Sequence, residues 1–136
     1  MNYWLVKFAP FRYFCQDVLK SIRFEIYCLR NPQARNNLKA MKMEDQVFFY
    51  HSQKGNEVTG VMKVVEEAHQ DPTTTDSRWL SVTFEPVMTL ERSVGLKKIK
   101  SEPKLSEIGL IRQQRLAVMK LSKEEFYKII GLTSGI

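Results

Sequence analysis

The sequence is poor in cysteine. Its 136 residues include only two cysteines, Cys15 and Cys28, and these form no C-x-x-C pair. Because small secreted domains that rely on disulfides carry several cysteines, a disulfide framework is excluded. The sequence therefore predicts a protein of a reducing compartment, cytoplasmic, or nuclear if the source is eukaryotic.

The sequence also lacks a long hydrophobic run. None approaches the roughly 18 consecutive apolar residues of a membrane-spanning helix. Lys7 and Arg12 interrupt the apolar N-terminal stretch, and no small-residue cleavage site follows it. We therefore predict neither a membrane partner nor a targeting segment.

Glycine-rich phosphate loops and complete catalytic constellations are absent as well. Gly55 and Gly60 are isolated glycines, whereas a phosphate-binding loop needs several at fixed spacing. His51 and Ser52 are adjacent, but no third residue is evident that would complete a catalytic triad. The prediction is a protein that is not an enzyme and uses no cofactor. A nucleotide hydrolase that depends on His51 is the weakest alternative.

Candidate metal ligands are few. Cys15, Cys28, His51 and His69 are the only cysteines and histidines, and their spacing matches no common zinc pattern. The H-x-E and P-C-x-x-C motifs of zinc deaminases are also missing. We therefore predict no metal site.

Positive charge and ordinary globular composition are what the sequence does contain. Hydrophobic residues make up 43% and charged residues 26% of the chain, which is typical of one folded domain spanning residues 1–136. Lysine and arginine number 21 against 15 acidic residues, so the net charge is +6. This excess favours a polyanionic partner such as nucleic acid.

Alternating and β-rich segments predict a sheet. Residues 47–50 and 58–65 flank a short turn that contains Gly55, which is typical of an antiparallel hairpin. The further strands are predicted at residues 3–7, 78–87 and 116–121, with a short strand or extended loop at 23–29. The sequence thus predicts an α+β fold, with a curved or closed antiparallel sheet of about five or six strands and peripheral helices.

Two helices have explicit start signals. Asn31 can cap free backbone N–H groups, and Pro32 fits the first helical position. Ser122 and Glu125 form the S-x-x-E pattern of a capping box. The remaining expectations are an apolar face of Ala34, Leu38 and Met41 on a helix that ends near Met43, a helical segment at 14–20, a basic amphipathic helix at 93–100, core side chains Phe126, Ile129 and Ile130 on the terminal helix, and core positions for Trp4 and Trp79.

Ordered sequence blocks resemble a known family. The blocks are YWLVK at 3–7, RNPQARNNLKAMK at 30–42, VFFYHS at 47–52, G-V-x-x-V-x-E-A at 60–68, DPT at 71–73, a tryptophan-led strand at 79 and LIRQQRLAV at 110–118. In this order they are similar to the EVE domain, a PUA-like pseudo-barrel. The resemblance implies a relation in fold to YTH domains, which hold N6-methyladenine in an aromatic cage. It also implies a reader of modified bases, with C5-modified cytosine the usual suggestion for DNA.

The resemblance further implies a base pocket where the first strand ends, where the loop before the first helix lies, and where the YHS strand ends. Such a pocket stacks an extruded base on aromatic faces and binds its edge, while basic residues hold the flanking phosphates. The implied pocket residues are Lys7, Phe8, Pro10, Tyr27, Arg30, Asn31, Tyr50, His51 and Ser52. Arg35, Arg112, Gln113 and Arg115 are the implied phosphate-binding mouth.

Two blocks depart from the family pattern. The family usually has K-S-E-P where this chain has residues 7–10, KFAP, and W-D-G-V-R-N where it has residues 26–31, IYCLRN. The second hypothesis is therefore a diverged EVE domain that has lost its base pocket and acts as an interaction or scaffold protein. For Tyr50, a core position and a cage position are both open. The sequence also leaves open DNA or RNA, which modified base is preferred, and the oligomeric state.

Overall fold

A mostly antiparallel sheet forms the framework of the protein in a computed structural model, which describes residues 2–8, 24–26, 32–51, 56–71, 74–113 and 116–132. The sheet has six strands in the order β2-β5-β4-β3-β1-β6. The strands are β1 (Tyr3–Phe8), β2 (Phe24–Ile26), β3 (Gln46–His51), β4 (Glu57–Gln70), β5 (Leu80–Gly95) and β6 (Val118–Leu121).

One neighbouring pair in the sheet is parallel. β1 pairs with β3 in parallel, whereas β1 with β6, β2 with β5, β3 with β4 and β4 with β5 are antiparallel. A parallel pair needs a crossover connection, and the chain between β1 and β3 contains β2 and a helix. The predicted α+β architecture is confirmed, with this parallel pair as the exception to an antiparallel sheet.

The β3–β4 hairpin is confirmed, and the following strands are longer than predicted. β4 continues to Gln70, and β5 continues to Gly95. The prediction of a helix over residues 93–100 is wrong for its first turn. Residues Val94 and Gly95 pair with Val58 and Glu57 of β4, so the strand ends and the helix begins only at Leu96.

Within the described ranges, four short α-helices and one 3₁₀ turn pack around the sheet. They are α1 (Pro32–Ala40), α2 (Leu96–Lys100), the 3₁₀ turn Pro103–Leu105, α3 (Gly109–Arg112) and α4 (Lys123–Leu132). The predicted start at Pro32 is confirmed, while the expected helix at 14–20 and the Asn31 cap lie outside the described residues. No helix in the described ranges combines the length and apolar character that a membrane crossing requires.

Helix α1 ends at Ala40 rather than near Met43. The backbone N–H of Lys42 donates to a side-chain oxygen of Asp45 at 3.0 Å, and Glu44 has a left-handed φ of 72°. Because the Lys42 N–H bonds to Asp45, it does not donate to a helix carbonyl, so the α-helix stops short of Met43. The left-handed Glu44 then turns the chain beyond that point. The predicted apolar face is confirmed, since Ala34, Leu38 and Met41 are all buried.

The predicted capping box starts α4. The Ser122 N–H donates to Glu125 Oε1 at 2.7 Å, and the Glu125 N–H donates to Ser122 Oγ at 3.1 Å. Phe126 and Ile129 are buried beneath the helix, and Ile130 packs partly buried against the same core. The cap thus sets the start of the helix, and the apolar face holds it on the sheet.

The two tryptophans differ in environment. Trp4 on β1 is only 1% exposed, so its predicted core position is confirmed. The prediction was wrong for Trp79, which is partly exposed and precedes β5 by one residue. The guanidinium carbons of Arg35 and Arg78 lie 5.7 and 5.5 Å from the centroid of its ring. Trp79 is therefore stabilised by cation–π contacts in a loop rather than by burial in the sheet.

Candidate nucleic-acid interface

The parallel pairing of β1 and β3 brings two predicted pocket segments together. Lys7 is in register with Tyr50, and Phe8 is in register with His51, the last residue of β3. Neighbouring strands lie about 4.8 Å apart, so β1 and β3 finish side by side at the same end of the sheet. We call this end, formed by Lys7, Phe8, Tyr50 and His51, the candidate edge. Polar and ionisable residues at such an edge can be presented to a ligand by a rigid framework.

A turn from the C-terminal third of the chain meets the same edge. The Lys7 N–H donates to the Ala117 carbonyl at 2.8 Å, and the Leu116 N–H donates to the Gln113 carbonyl at 3.0 Å. The first bond fastens this turn to the end of β1. Because Gln113 directly follows α3, these two hydrogen bonds bring the end of α3 close to the predicted pocket edge.

Lys7 is the described basic side chain at this edge. It is partly buried, and this burial lowers the pKa of its ammonium group from the ordinary value. Burial disfavours the charged form because water no longer solvates it fully. Lys7 is therefore a partly desolvated basic group at the predicted pocket edge.

Tyr50 belongs to the hydrophobic core, one of the two alternatives that the sequence left open. Its side chain is 2% exposed. Burial, assisted by the negative charge of Glu57, raises the pKa of its phenol to about 12. In this structure its ring underlies the candidate edge and offers no exposed face for stacking.

The raised pKa of Tyr50 predicts a loss of stability in alkali. The phenol titrates near pH 10 when unfolded and at about 12 in the folded protein. Between these values the unfolded chain loses a proton that the folded protein keeps, so the stabilisation is complete below pH 10 and is lost as the pH rises towards 12. Tyrosinate absorbance after a rapid pH jump should show a late-titrating phenol that Tyr50→Phe removes. Identical titration curves for both proteins would contradict the assignment.

The predicted mouth residues do not share one set of contacts. Arg112 is exposed and forms an ion pair with Glu107, Nη2 to Oε1 2.5 Å, and this hydrogen bond raises the pKa of the guanidinium. An exposed pair of this kind is worth little, so Arg112 can exchange Glu107 for a phosphate. Arg35 instead bonds to its neighbour Asn36 and stacks on Trp79. The contacts of Arg35 therefore do not join it to the edge formed by β1 and β3.

Several predicted site residues lie outside the described part of the chain. For Phe8 and His51 the structure describes only the backbone. The predicted site residues that lie wholly outside it are Pro10, Tyr27, Arg30, Asn31, Ser52 and Arg115.

His69 contacts groups of its own strand. Its Nδ1 lies 2.9 Å from the Glu67 carbonyl and 3.1 Å from Glu66 Oε1, both on its own strand. Within the described ranges, no three histidine, cysteine or acidic side chains gather as metal ligands do. His69 is thus held by groups of β4. It pairs with Ser81 near the end of β4 that lies away from the candidate edge.

Sequence reasoning did not connect the basic residues of α2 with the candidate edge. Lys97, Lys98 and Lys100 make this segment basic, but the position of the helix depends on where β5 ends. The pairing of Gly95 with Glu57, and of Glu57 with His51, carries α2 to the same edge of the sheet. This proximity cannot be read from the sequence, because the register between β4 and β5 shifts at several positions along these long strands.

Known proteins with solved structures share this fold closely. A protein from Agrobacterium tumefaciens is 35% identical, with a TM-score of 0.95 over 98% of this chain and 93% of that chain. The human THYN1 protein, solved in complex with 5-methylcytosine-containing DNA, is 29% identical, with a TM-score of 0.89 over 98% of both chains. A YTH domain from Zygosaccharomyces rouxii, 10% identical with a TM-score of 0.60, covers 99% of this chain and 88% of that chain and shares the fold alone.

Sequence comparison identifies the family. Mouse thymocyte nuclear protein 1 is 34% identical over 96% of this chain and 73% of its own length. The family model of the EVE domain matches residues 2–132. The expected relation in fold to YTH domains is also confirmed. The chain belongs to the EVE domain family.

Proposed function

We propose that this chain is a non-catalytic nucleic-acid-binding protein that reads a modified, extruded base, with 5-methylcytosine in DNA as the first ligand to test. The observation that supports the proposal is the parallel pairing of Lys7 with Tyr50 and of Phe8 with His51, which aligns two segments of the proposed pocket. The solved complex of the human relative with 5-methylcytosine-containing DNA supports the choice of ligand.

The chemistry of the edge suits a base and its phosphates. Extrusion from a duplex costs about a few kcal/mol, and stacking on an aromatic ring returns roughly 1–3 kcal/mol. Because the ring of Tyr50 is buried, we assign stacking to Phe8 and Tyr27 and give Tyr50 a supporting role in the core. We propose that hydrogen bonds to the edge of the base come from Lys7, Asn31, His51 and Ser52. The proposed phosphate contacts are those of Arg30, Arg112, Gln113 and Arg115.

Equilibrium titration with matched oligonucleotides tests this function. Duplexes that differ only in one central base, cytosine or 5-methylcytosine, are titrated at two salt concentrations, with RNA of the same sequence as a second polymer. We expect tighter binding of the methylated DNA and weaker binding of every polymer at high salt. A preference for modified RNA over modified DNA would reassign the polymer, and the absence of any preference would contradict base reading.

A pair of histidine variants tests the place of the site. His51→Ala removes the proposed edge contact at the end of β3, whereas His69→Ala removes a histidine that Glu66 and Glu67 engage on β4. We expect His51→Ala to lower the affinity for the 5-methylcytosine duplex by about fivefold to thirtyfold, the worth of a hydrogen bond of about 1–2 kcal/mol. His69→Ala should leave this affinity unchanged. Equal effects of both variants would contradict the assignment of His51.

A diverged domain with a closed pocket is the second candidate. The 2% exposure of Tyr50 favours it, because this aromatic ring lies in the core and leaves no open cage face at its position. This candidate predicts no preference among modified bases in the same titrations. Binding that depends on salt but not on the base would support it over a base reader.

A further inference from the structure

A row of paired backbone residues connects the candidate edge to helix α2. Phe8 pairs with His51, His51 with Glu57, and Glu57 with Gly95, the residue before α2. The Leu96 N–H also donates to the Asn56 carbonyl at 2.9 Å. Three strand spacings of about 4.8 Å separate Phe8 from Gly95, roughly 14 Å in all. Helix α2 therefore begins on the flank of the candidate base site.

Four basic residues around α2 form what we call the basic strip: Arg92, Lys97, Lys100 and Lys104. All four are exposed, and none forms an ion pair with a described residue. Other basic side chains do form such pairs, as Lys63 does with Glu44 at 3.8 Å and Lys128 does with Glu102 at 3.3 Å. The charge of the basic strip is therefore not balanced by pairing within the described protein.

Two acidic residues beside the strip, among those whose side chains the structure describes, are already engaged. Glu57 Oε2 accepts a hydrogen bond from the Ser93 hydroxyl at 2.8 Å, and Glu102 binds Lys128 while it caps the 3₁₀ turn at Lys104 N. Lys98 lies between strip residues, but its ammonium donates to the Leu132 carbonyl at 3.4 Å. Lys98 therefore ties α2 to α4, and we leave it out of the strip.

We propose that the basic strip binds the phosphodiester backbone of the DNA that flanks the extruded base. This inference rests on the proposed function and extends it to a surface outside the base pocket. Lys97 and Lys100 are three residues apart on one helix, so their Cβ atoms lie about 5–6 Å apart on the same face. Such a face follows one strand of phosphates, which carry charge but no base identity. The strip supplies affinity and orientation, and the pocket supplies base preference.

A salt titration separates the two contributions. The strip variant combines Arg92→Gln, Lys97→Gln, Lys100→Gln and Lys104→Gln, and duplex DNA with one central 5-methylcytosine is the probe. The slope of log K against log salt is negative, and each lost phosphate contact lowers its magnitude by about 0.9. We expect the magnitude to fall by about 2–4 and the affinity at 0.1 M salt to fall by about a hundredfold to several thousandfold. In the strip variant, the ratio of affinities for methylated and plain duplexes should stay within about twofold of the wild-type ratio.

A matched control removes the same charge elsewhere. Lys39, Lys42, Lys120 and Lys123 are also exposed, and Lys42 and Lys120 lie towards the opposite end of β1, near Asp45 and Trp4. Their combined change to glutamine lowers the net charge from +6 by the same amount. We expect a slope change below about 1 for this control.

The outcomes distinguish the inference from the function on which it rests. Equal slope changes in the strip and control variants would show an effect of net charge alone and would overturn the strip. An unchanged slope in the strip variant would do the same, while intact base preference would leave the base reader standing. Wild-type protein that binds neither duplex DNA nor RNA of the same sequence would instead refute the proposed function, and the strip with it. Thermal unfolding of both variants verifies that they are folded.

Discussion

Replacing Asp45 by alanine is expected to lower the free energy of unfolding by about 3–5 kcal/mol. The Asp45 carboxylate is 2% exposed and accepts three hydrogen bonds of 3.0 Å, from the Asn2 N–H, the Trp4 Nε1–H and the Lys42 N–H. Alanine leaves these donors without their acceptor in a protein interior. Chemical denaturation of the purified variant measures the loss.

Two further variants separate the hydrogen bonds from the charge. Glu44→Ala removes an adjacent carboxylate whose contact with Lys63 is exposed and 3.8 Å long, so we expect a cost below about 1 kcal/mol. Trp4→Phe removes one donor, and in combination with Asp45→Ala it should cost clearly less than the sum of the single changes. The prediction fails if Asp45→Ala costs no more than Glu44→Ala.

Phe126→Ala should also lower the free energy of unfolding by about 3–5 kcal/mol. The Phe126 ring is buried, stacks on Phe48 at a centroid distance of 4.4 Å, and lies 4.6 Å from the ring of Tyr3. The variant leaves a cavity and loses both aromatic contacts, so α4 loses its main attachment to β1 and β3. Denaturant unfolding measures the effect.

The neighbouring aromatic residue supplies the control for Phe126. Tyr127 is 50% exposed, and its ring meets that of Tyr3 edge-on at 5.9 Å between centroids. Tyr127→Ala should therefore cost less than half as much as Phe126→Ala. Equal costs would mean that aromatic contact on α4, rather than burial in the core, holds the helix on the sheet.

The charge of the protein divides between two kinds of role. Some basic groups are engaged within the protein, such as Lys98 with the Leu132 carbonyl and Arg112 with Glu107. Others, such as Lys97 and Lys100, are exposed without an ion pair to a described residue. The net charge does not distinguish these two groups of cations. The position of each basic side chain decides whether it can bind a polyanion.

Local signals predicted the elements whose structure depends on neighbouring residues. The Ser122 capping box, the proline at the first position of α1 and the β3–β4 hairpin were all evident from sequence. The order of family blocks indicated the fold, and the comparisons confirm it. The base-site residues that come from the same resemblance stay predictions.

Long-range pairing decided what local patterns did not. Trp79 has the alternating context of a strand but lies in a loop between two arginines, because β5 begins one residue later. The basic segment at 93–100 looks helical throughout, yet pairing with β4 holds Gly95 in the sheet. Periodicity is a local property, whereas a strand's limits depend on a partner elsewhere in the chain.

The sequence by itself determined the family, the mixed fold, the capping box of α4 and the residue types available at the proposed base-binding edge. Only the tertiary structure decided that β1 and β3 run in parallel so that Lys7 lies beside Tyr50, that Tyr50 is core, and that α2 flanks the same edge. The physical reason is that caps and turns involve residues a few positions apart, whereas strand order and burial arise from contacts between distant segments, which compete for the same core and the same backbone hydrogen bonds.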